Sequence, residues 1–316
     1  MSLTLLQAQA LSESKLTKFV IDEFRKDPMF DALVFDNTVK PQGGKTLAYV
    51  YNRVKTMPTA AFRALGSEYV PAVADTEQHT VNLKVFGGSF EIDRVIQADE
   101  TQVVDLIQFQ LQQKIQAARA LFSDTFINGD SAVTATSFDG IDKAITGSST
   151  EVTPEAAIDL STSANITTNG NLFMDTLDQM LALLDGTPSA LLVNRKLAAI
   201  MNGIARRSGY FSTTDVDSFG KPVTKYQGVP IVIVGDKPAT SNPIIPVTAG
   251  ETGLYAIRIG LDGVHAVSPE GSAIINTYLP NLSDSGAVKK GEVEMVSAAV
   301  LKATRAAGVL RKIKIS

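Results

Sequence analysis

Three short patterns in this chain could do chemistry. Gly129-Asp130-Ser131 and, far downstream, Asp262-Gly263-Val264-His265 supply the three side chains that make a hydroxyl nucleophilic. Ser131 would attack an ester, His265 would take its proton and Asp262 would orient the imidazole. Asp124, Asp130 and Asp139 fall within FSDTFINGDSAVTATSFDGI, residues 122–141, and could gather around a cation. Gly43-Gly44-Lys45-Thr46 could close a phosphate-binding loop.

Each pattern lacks parts that its chemistry needs. A calcium loop wants oxygen ligands two and four residues after its first Asp, but Phe126 follows Asp124 at the first of those places and no Glu stands at the twelfth. The P-loop needs Gly at 39, which is Val39, and a helix after the Lys, where a strand pattern follows. Gly43-Gly44 reads instead as a turn. The Gly-Asp-Ser triplet resembles the nucleophile block of GDSL-type hydrolases, whose Ser follows a buried strand near the start of the domain. Here it closes a long amphipathic helix, and the Gly-Asn-Asp block of that family's oxyanion hole is absent. There is no cysteine, and His79 and His265 are the only histidines, so thiolate sites and His-rich metal clusters are excluded. The expectation is a protein with no catalytic, cofactor or metal site.

Composition supports a different kind of work. With 44% hydrophobic and 20% charged residues the 316-residue chain has the make-up of a folded globular protein. Its 33 acidic and 29 basic side chains leave a charge of -4, which argues against whole-protein attraction to nucleic acid. Arg305, Arg311, Lys312 and Lys314 form the one basic cluster, read as a solvated strand edge. MSLTLLQAQALSESK has no basic start and no continuous apolar core, and no run reaches the length of a membrane span, so a protein made in the cytosol is expected.

The elements that would position these residues follow from periodicity. Residues 4–26 carry a helical stripe of Leu16, Phe19, Val20 and Phe24, with Pro28 just beyond its end. TLAYVYNRV (46–54) alternates Leu47, Tyr49 and Tyr51, and TVNLKVF (80–86) alternates Val81, Leu83 and Val85, two strands of one hairpin. Its tip, residues 55–79, is far longer than the two to five residues of an ordinary hairpin loop. After Gly87-Gly88 the apolar positions move to Phe90 and Ile92, which predicts a bulge or kink there. Val104, Ile107, Leu111, Ile115, Ala118, Phe122 and Phe126 predict one helix over 100–127, capped by Asp99 and Gln102, about 40 Å long and ending at Asn128-Gly129. A Ser/Thr-rich passage (146–170) then leads into helix, strand, helix and strand signals and a strand-rich final third, an α+β arrangement.

This order, together with FINGDSAVTATSFDGI after the long helix, resembles the major capsid protein of tailed bacteriophages, the Hong Kong 97-like fold. Such proteins often carry a Phe-x-x-Gly-Asp run and then a Gly-hydrophobic pair at that place. The resemblance implies an N-terminal arm (1–40), an extended E-loop hairpin (41–95) and a peripheral domain (96–159) built on a spine helix at 100–127. An axial domain (160–260) and C-terminal strands returning to the peripheral domain (261–316) complete it. It implies a structural subunit of an icosahedral head, self-assembling into pentamers and hexamers around double-stranded DNA held non-specifically. Some relatives carry a scaffolding segment before the arm, whereas this chain begins at the arm; either a separate scaffolding protein serves or the chain starts at a processing site, and Met1 favours the former, with a portal as a further partner. An encapsulin-type shell around an enzyme cargo shares the fold and is the alternative; the serine hydrolase is a lower one.

A thin ribbon cannot bury Tyr49, Tyr51, Phe62, Leu65 and Val70 by itself, so these five are the expected contacts with a neighbouring subunit. Some relatives weld their shells by Lys-Asn isopeptide bonds with the Lys on the E-loop. Lys55 and Asn281 are the residues here that such a bond would use, and an ordinary exposed Lys without a bond is expected.

Overall fold

Proline has no amide hydrogen to lose in the first turn of a helix, and Pro28 is used that way, opening a short helix. The computed structural model describes residues 28–39, 47–93, 106–207, 214–216, 222–270, 274–281 and 285–316. The predicted helix 4–26, the Gly43–Thr46 turn, the Asp99/Gln102 cap and Val104 lie outside the described residues.

In chain order, α1 (Pro28–Ala32) and β1 (Phe35–Val39) precede β2 (Ala48–Thr56), β3 (Asp75–Asn82) and β4 (Lys84–Asp93). The long helix α2 (Leu106–Asn128), α3 (Ile141–Ile145), β5 (Glu151–Val152), β6 (Ile158–Asp159) and α4 (Ser163–Ala182) follow. Then come β7 (Ala190–Val193), α5 (Arg195–Arg207), β8 (Thr214–Val216), β9 (Pro222–Tyr226), β10 (Val229–Ile233), β11 (Glu251–Ile257) and β12 (Val264–Pro269). The chain ends with β13 (Ile275–Tyr278), β14 (Val288–Leu301) and β15 (Ala307–Lys314).

These strands make two sheets and a ribbon. The first sheet runs β1-β12-β14-β13 with β4 along the other side of β14, and α2 packs on it. The second runs β5-β15-β11-β7-β10-β9-β8, with β6 also on β15 and α4 and α5 against it. β2 and β3 pair only with each other. The C-terminal strands therefore divide: β12 to β14 join the first sheet, and β15 joins the second.

The α2 stripe is core at its C-terminal end. Phe122 and Phe126 are fully buried, and Phe122 meets Phe30 edge-on at 5.4 Å and Phe138 at 5.7 Å. Ile107 and Leu111 are only half-buried, lying over Phe90 and Ile92. The helix stops at Asn128, as its sequence predicts, and the following loop explains FINGD…FDGI. The Gly140 amide donates to the Gly129 carbonyl at 2.8 Å, and a side chain on Gly129 would stand 2.3 Å from the Phe138 carbonyl oxygen. One on Gly140 would stand 2.6 Å from the Ile127 carbonyl oxygen. Two backbones cross where only glycines allow contact.

One expectation from periodicity is corrected. The apolar face changes between Leu83 and Lys84, where β3 hands over to β4, and not at Gly87-Gly88. β4 pairs with β14 without interruption from Lys84 to Asp93, so Phe86 points inward and Val85 is exposed. Gly87 is needed for closeness instead, since a Cβ there would lie 1.9 Å from the Val293 carbonyl oxygen. The end of the Ser/Thr-rich passage is also helical. Thr162 caps α4 by accepting from the Asn165 amide, and the hydroxyls of Thr167 and Thr168 turn back onto the carbonyls of Ser163 and Ala164.

Candidate assembly interface

The residues that could have done chemistry are engaged elsewhere. Asp262 pairs with Arg258 at 2.6 Å. The Ser131 amide donates to Asp139 at 2.8 Å, and the Lys143 ammonium lies 3.4 Å from its hydroxyl. His265 lies buried on β12 against Tyr49. The Ser-His-Asp relay is not assembled. The acidic loop is neutralised by a lysine: Lys143 reaches Asp130 at 2.6 Å and Asp139 at 2.8 Å. That hydrogen bond holds the Asp130 carboxyl below the usual carboxylate range. Asp124 accepts from Asn128 and faces Lys237 at 3.6 Å. Among the described residues no three His, Cys, Asp or Glu side chains are placed to share a metal ion.

Two members of the C-terminal basic cluster, Arg311 and Lys314, are internally paired. Arg311 binds Asp142 at 2.8 Å, Glu151 and Thr146, while Lys314 faces Asp159 at 3.5 Å. Arg311 thus ties α3 and the start of β5 to the second sheet. Among the described residues no helix is long and apolar enough to cross a membrane.

What remains is the ribbon, whose foot and tip have opposite environments. At the foot, odd-numbered side chains of β2 face the body. The Tyr49 hydroxyl donates to Asp36 at 3.1 Å and Tyr51 to the Leu301 carbonyl at 2.9 Å. Arg53 donates to the carbonyls of Lys302 at 2.8 Å and Leu301 at 2.7 Å, and to Thr304 at 3.2 Å. Tyr51 stacks on His79 at 5.5 Å, and the Lys302 ammonium lies 5.2 Å from the centre of the Tyr49 ring. Burial, outweighing the help of Arg53, pushes the Tyr51 phenol up. Tyr49 and Tyr51 are therefore half-buried within their own subunit, a correction to their place among the uncovered side chains. Arg53, which continues their alternation, is the anchoring residue that apolar periodicity passes over.

The strands reach further than their sequence pattern shows, so the tip is Met57–Ala74, 18 residues in place of 55–79. Nothing covers it. Phe62 and Leu65 are 108% and 102% exposed, Val70 87%, Val73 86% and Met57 82%. The tip is still shaped: the Ser67 amide donates to the Ala64 carbonyl at 3.2 Å, with Gly66 at φ +87, a type II turn, and Arg63 lies 5.3 Å from the centre of the Tyr69 ring. Exposed apolar surface of this kind is uncommon on a soluble monomer.

No family model matches the chain, and no curated protein matches it in sequence. Solved structures do match in shape. The encapsulin of the holo-SrpI complex from Synechococcus elongatus PCC 7942 is similar over 100% of this chain and 98% of its own, at TM-score 0.70 and 16% identity. The capsid of a native GTA particle is similar over 98% of this chain and 100% of its own, at TM-score 0.64 and 13% identity. The capsid of Myoviridae phage XM1 gives 94% and 96%, at TM-score 0.61 and 10% identity. This chain has the Hong Kong 97-like fold. The match to the encapsulin spans both sheets and the ribbon, so the Hong Kong 97-like fold accounts for the described chain from end to end. At these identities the likeness is one of architecture.

Proposed function

We propose that this chain is the structural subunit of an icosahedral bacteriophage head, self-assembling into pentamers and hexamers that enclose double-stranded DNA. The observation that carries the reading is the ribbon: anchored at its foot by Tyr49, Tyr51 and Arg53, it ends in an uncovered apolar tip. β2 and β3 span about 25–30 Å at roughly 3.3 Å per residue, so the tip stands well away from the body. A second copy is its natural cover, and a tip that meets a different surface on the next copy is a head-to-tail contact, which closes into rings. Phe62, Leu65 and Val70 are the central contacts of this interface, with Met57 and Val73 beside them.

In this reading residues 1–40 are the arm, 41–95 the E-loop, and α2 with the first sheet the peripheral domain. The second sheet with α4 and α5 is the axial domain at capsomer centres, and β15 belongs with it. The lack of an assembled nucleophile or acidic metal cluster among the described residues accords with a subunit that works by its surfaces. Its net negative charge suits a container that must release DNA. A scaffolding protein and a portal are the separate partners of such a head, and the virion is its place, with assembly in the host cytoplasm.

One observation favours a second reading, an encapsulin-type shell: the SrpI encapsulin has the higher TM-score, 0.70 against 0.64 for the GTA capsid. Particles isolated from the source cell separate the two. Nuclease-protected double-stranded DNA inside the shells supports the head; a co-purifying enzyme without DNA supports the encapsulin.

A further inference from the structure

Of the two histidines, His265 is the more deeply placed: its side chain is wholly buried on β12, neither ring nitrogen makes a hydrogen bond of good geometry, and the backbone of Gly263 and Gly260 supplies the weak polar contacts to its ring. It lies under the ribbon's foot, edge-on to Tyr49 with ring centres 5.9 Å apart. The charged and titratable groups that face it come from three elements. β2 supplies Tyr49, β1 supplies Asp36, which takes the Tyr49 proton donor, and the turn after β14 supplies Lys302 on the same Tyr49 ring. On the neighbouring strand β14 its partner is the apolar Val300. Arg258 and Asp262, before β12, are paired with each other, and His79 and Arg53 lie further along the ribbon around Tyr51.

We propose that His265 is a proton-operated latch for the β2–β3 ribbon: neutral, it fills the space beneath Tyr49 and lets the ribbon seat; protonated, it favours a ribbon lifted off the sheet. A proton on the ring would place a second cation beside Lys302 in a buried site whose one carboxylate, Asp36, is already engaged by Tyr49. Burial, then Lys302, push the His265 imidazole below its ordinary value, and Asp36 with the backbone of Gly263 and Gly260 offsets this only in part. The sign follows. The lifted state exposes the ring and restores a value near 6.5, so it takes up protons first. Seating is complete above about pH 6.5 and weakens as pH falls from there toward the depressed value. At pH 5 the opening constant can rise by up to about thirtyfold, the ratio of protonation in the two states.

The test is amide hydrogen exchange on the full chain, followed in ribbon peptides covering 48–56 and 75–82 and corrected for the intrinsic pH dependence of exchange. Between pH 7.5 and pH 5 ribbon protection should fall at least fivefold while β7 and β11 hold theirs. His265→Leu should abolish the pH response, and His79→Gln should keep it. A ribbon whose protection ignores pH, or a response that survives in His265→Leu, overturns the latch. Should His265→Leu fail to fold, His265 is titrated by its ring proton resonance in the His79→Gln chain, where it is the only histidine. A midpoint at or above 6.5 overturns the proposal, and a lower one matched by ribbon opening supports it. The readout is seating within one subunit, so it is separate from whether shells form.

Discussion

Replacing Met57–Ala74 by Asn-Gly, a pair that closes a two-residue hairpin, tests the division between an anchored foot and a free tip. In the subunit these side chains bury almost nothing, so removing them costs the fold no core. Shortening the loop from 18 residues to two should even help, by about 2 kcal/mol if closure entropy scales as 1.5RT times the logarithm of length. Assembly should respond in the opposite direction. Burying Phe62, Leu65 and Val70 on a neighbour is worth about 1.5–3 kcal/mol each, and ordering each of them costs about 0.5–1.5 kcal/mol. Roughly 3–5 kcal/mol per contact remains, two to four orders of magnitude in association. Circular dichroism and thermal melting should thus show a folded chain of equal or higher midpoint, while sedimentation shows no shells at concentrations where the parent chain forms them. Normal shells would show that the tip is not the contact, and an unfolded variant would show that the tip is part of the subunit's own structure.

Other outcomes follow from the packing. Gly129→Ala places a methyl 2.3 Å from the Phe138 carbonyl and should destabilise by more than about 3 kcal/mol, lowering the thermal midpoint or leaving the protein insoluble; an unchanged midpoint would refute the backbone crossing. Phe122→Ala should cost about 3–5 kcal/mol in chemical denaturation, whereas Leu111→Ala, at a half-buried position, should cost clearly less; equal losses would refute the gradient along the helix. Ser131 should not react with a fluorophosphonate probe, and a labelled Ser131 peptide would reopen the hydrolase. Assembled protein should run as one band on a denaturing gel; a ladder lost in Lys55→Arg would demonstrate the isopeptide bond instead.

Much of this fold is legible in the sequence where one face of an element is buried against another. The stripe from Ile107 to Phe126 gives the long helix and its end at Asn128, and the odd-numbered residues of 47–51 give the ribbon's inner face. Legibility fails where the cause of a position lies in a distant strand. Gly87 looks like a kink because glycine often marks one, yet its reason is the Val293 carbonyl across β14, more than two hundred residues away. Thr162–Gly170 looks like a loop because Ser and Thr compete with the backbone, yet the helix they open packs Phe173, Leu177 and Met180 into the second core, and that burial decides. The tip is legible as an oversized loop, but its register is not. The last pairs of the ribbon, Arg53 with Glu77, Val54 with Thr76 and Thr56 with Asp75, lie outside the apolar alternation that marks a strand. Tyr49 and Tyr51 look uncovered for a similar reason: their partners, Asp36 and the Leu301 carbonyl, come from opposite ends of the chain.

The claim that this chain builds a shell is tested most directly by negative-stain electron microscopy of the purified full-length protein, alone and after raising concentration and salt. Closed shells, or five- and six-membered rings, are the predicted result. A protein that stays monomeric under every condition, with its tip intact, would contradict the account.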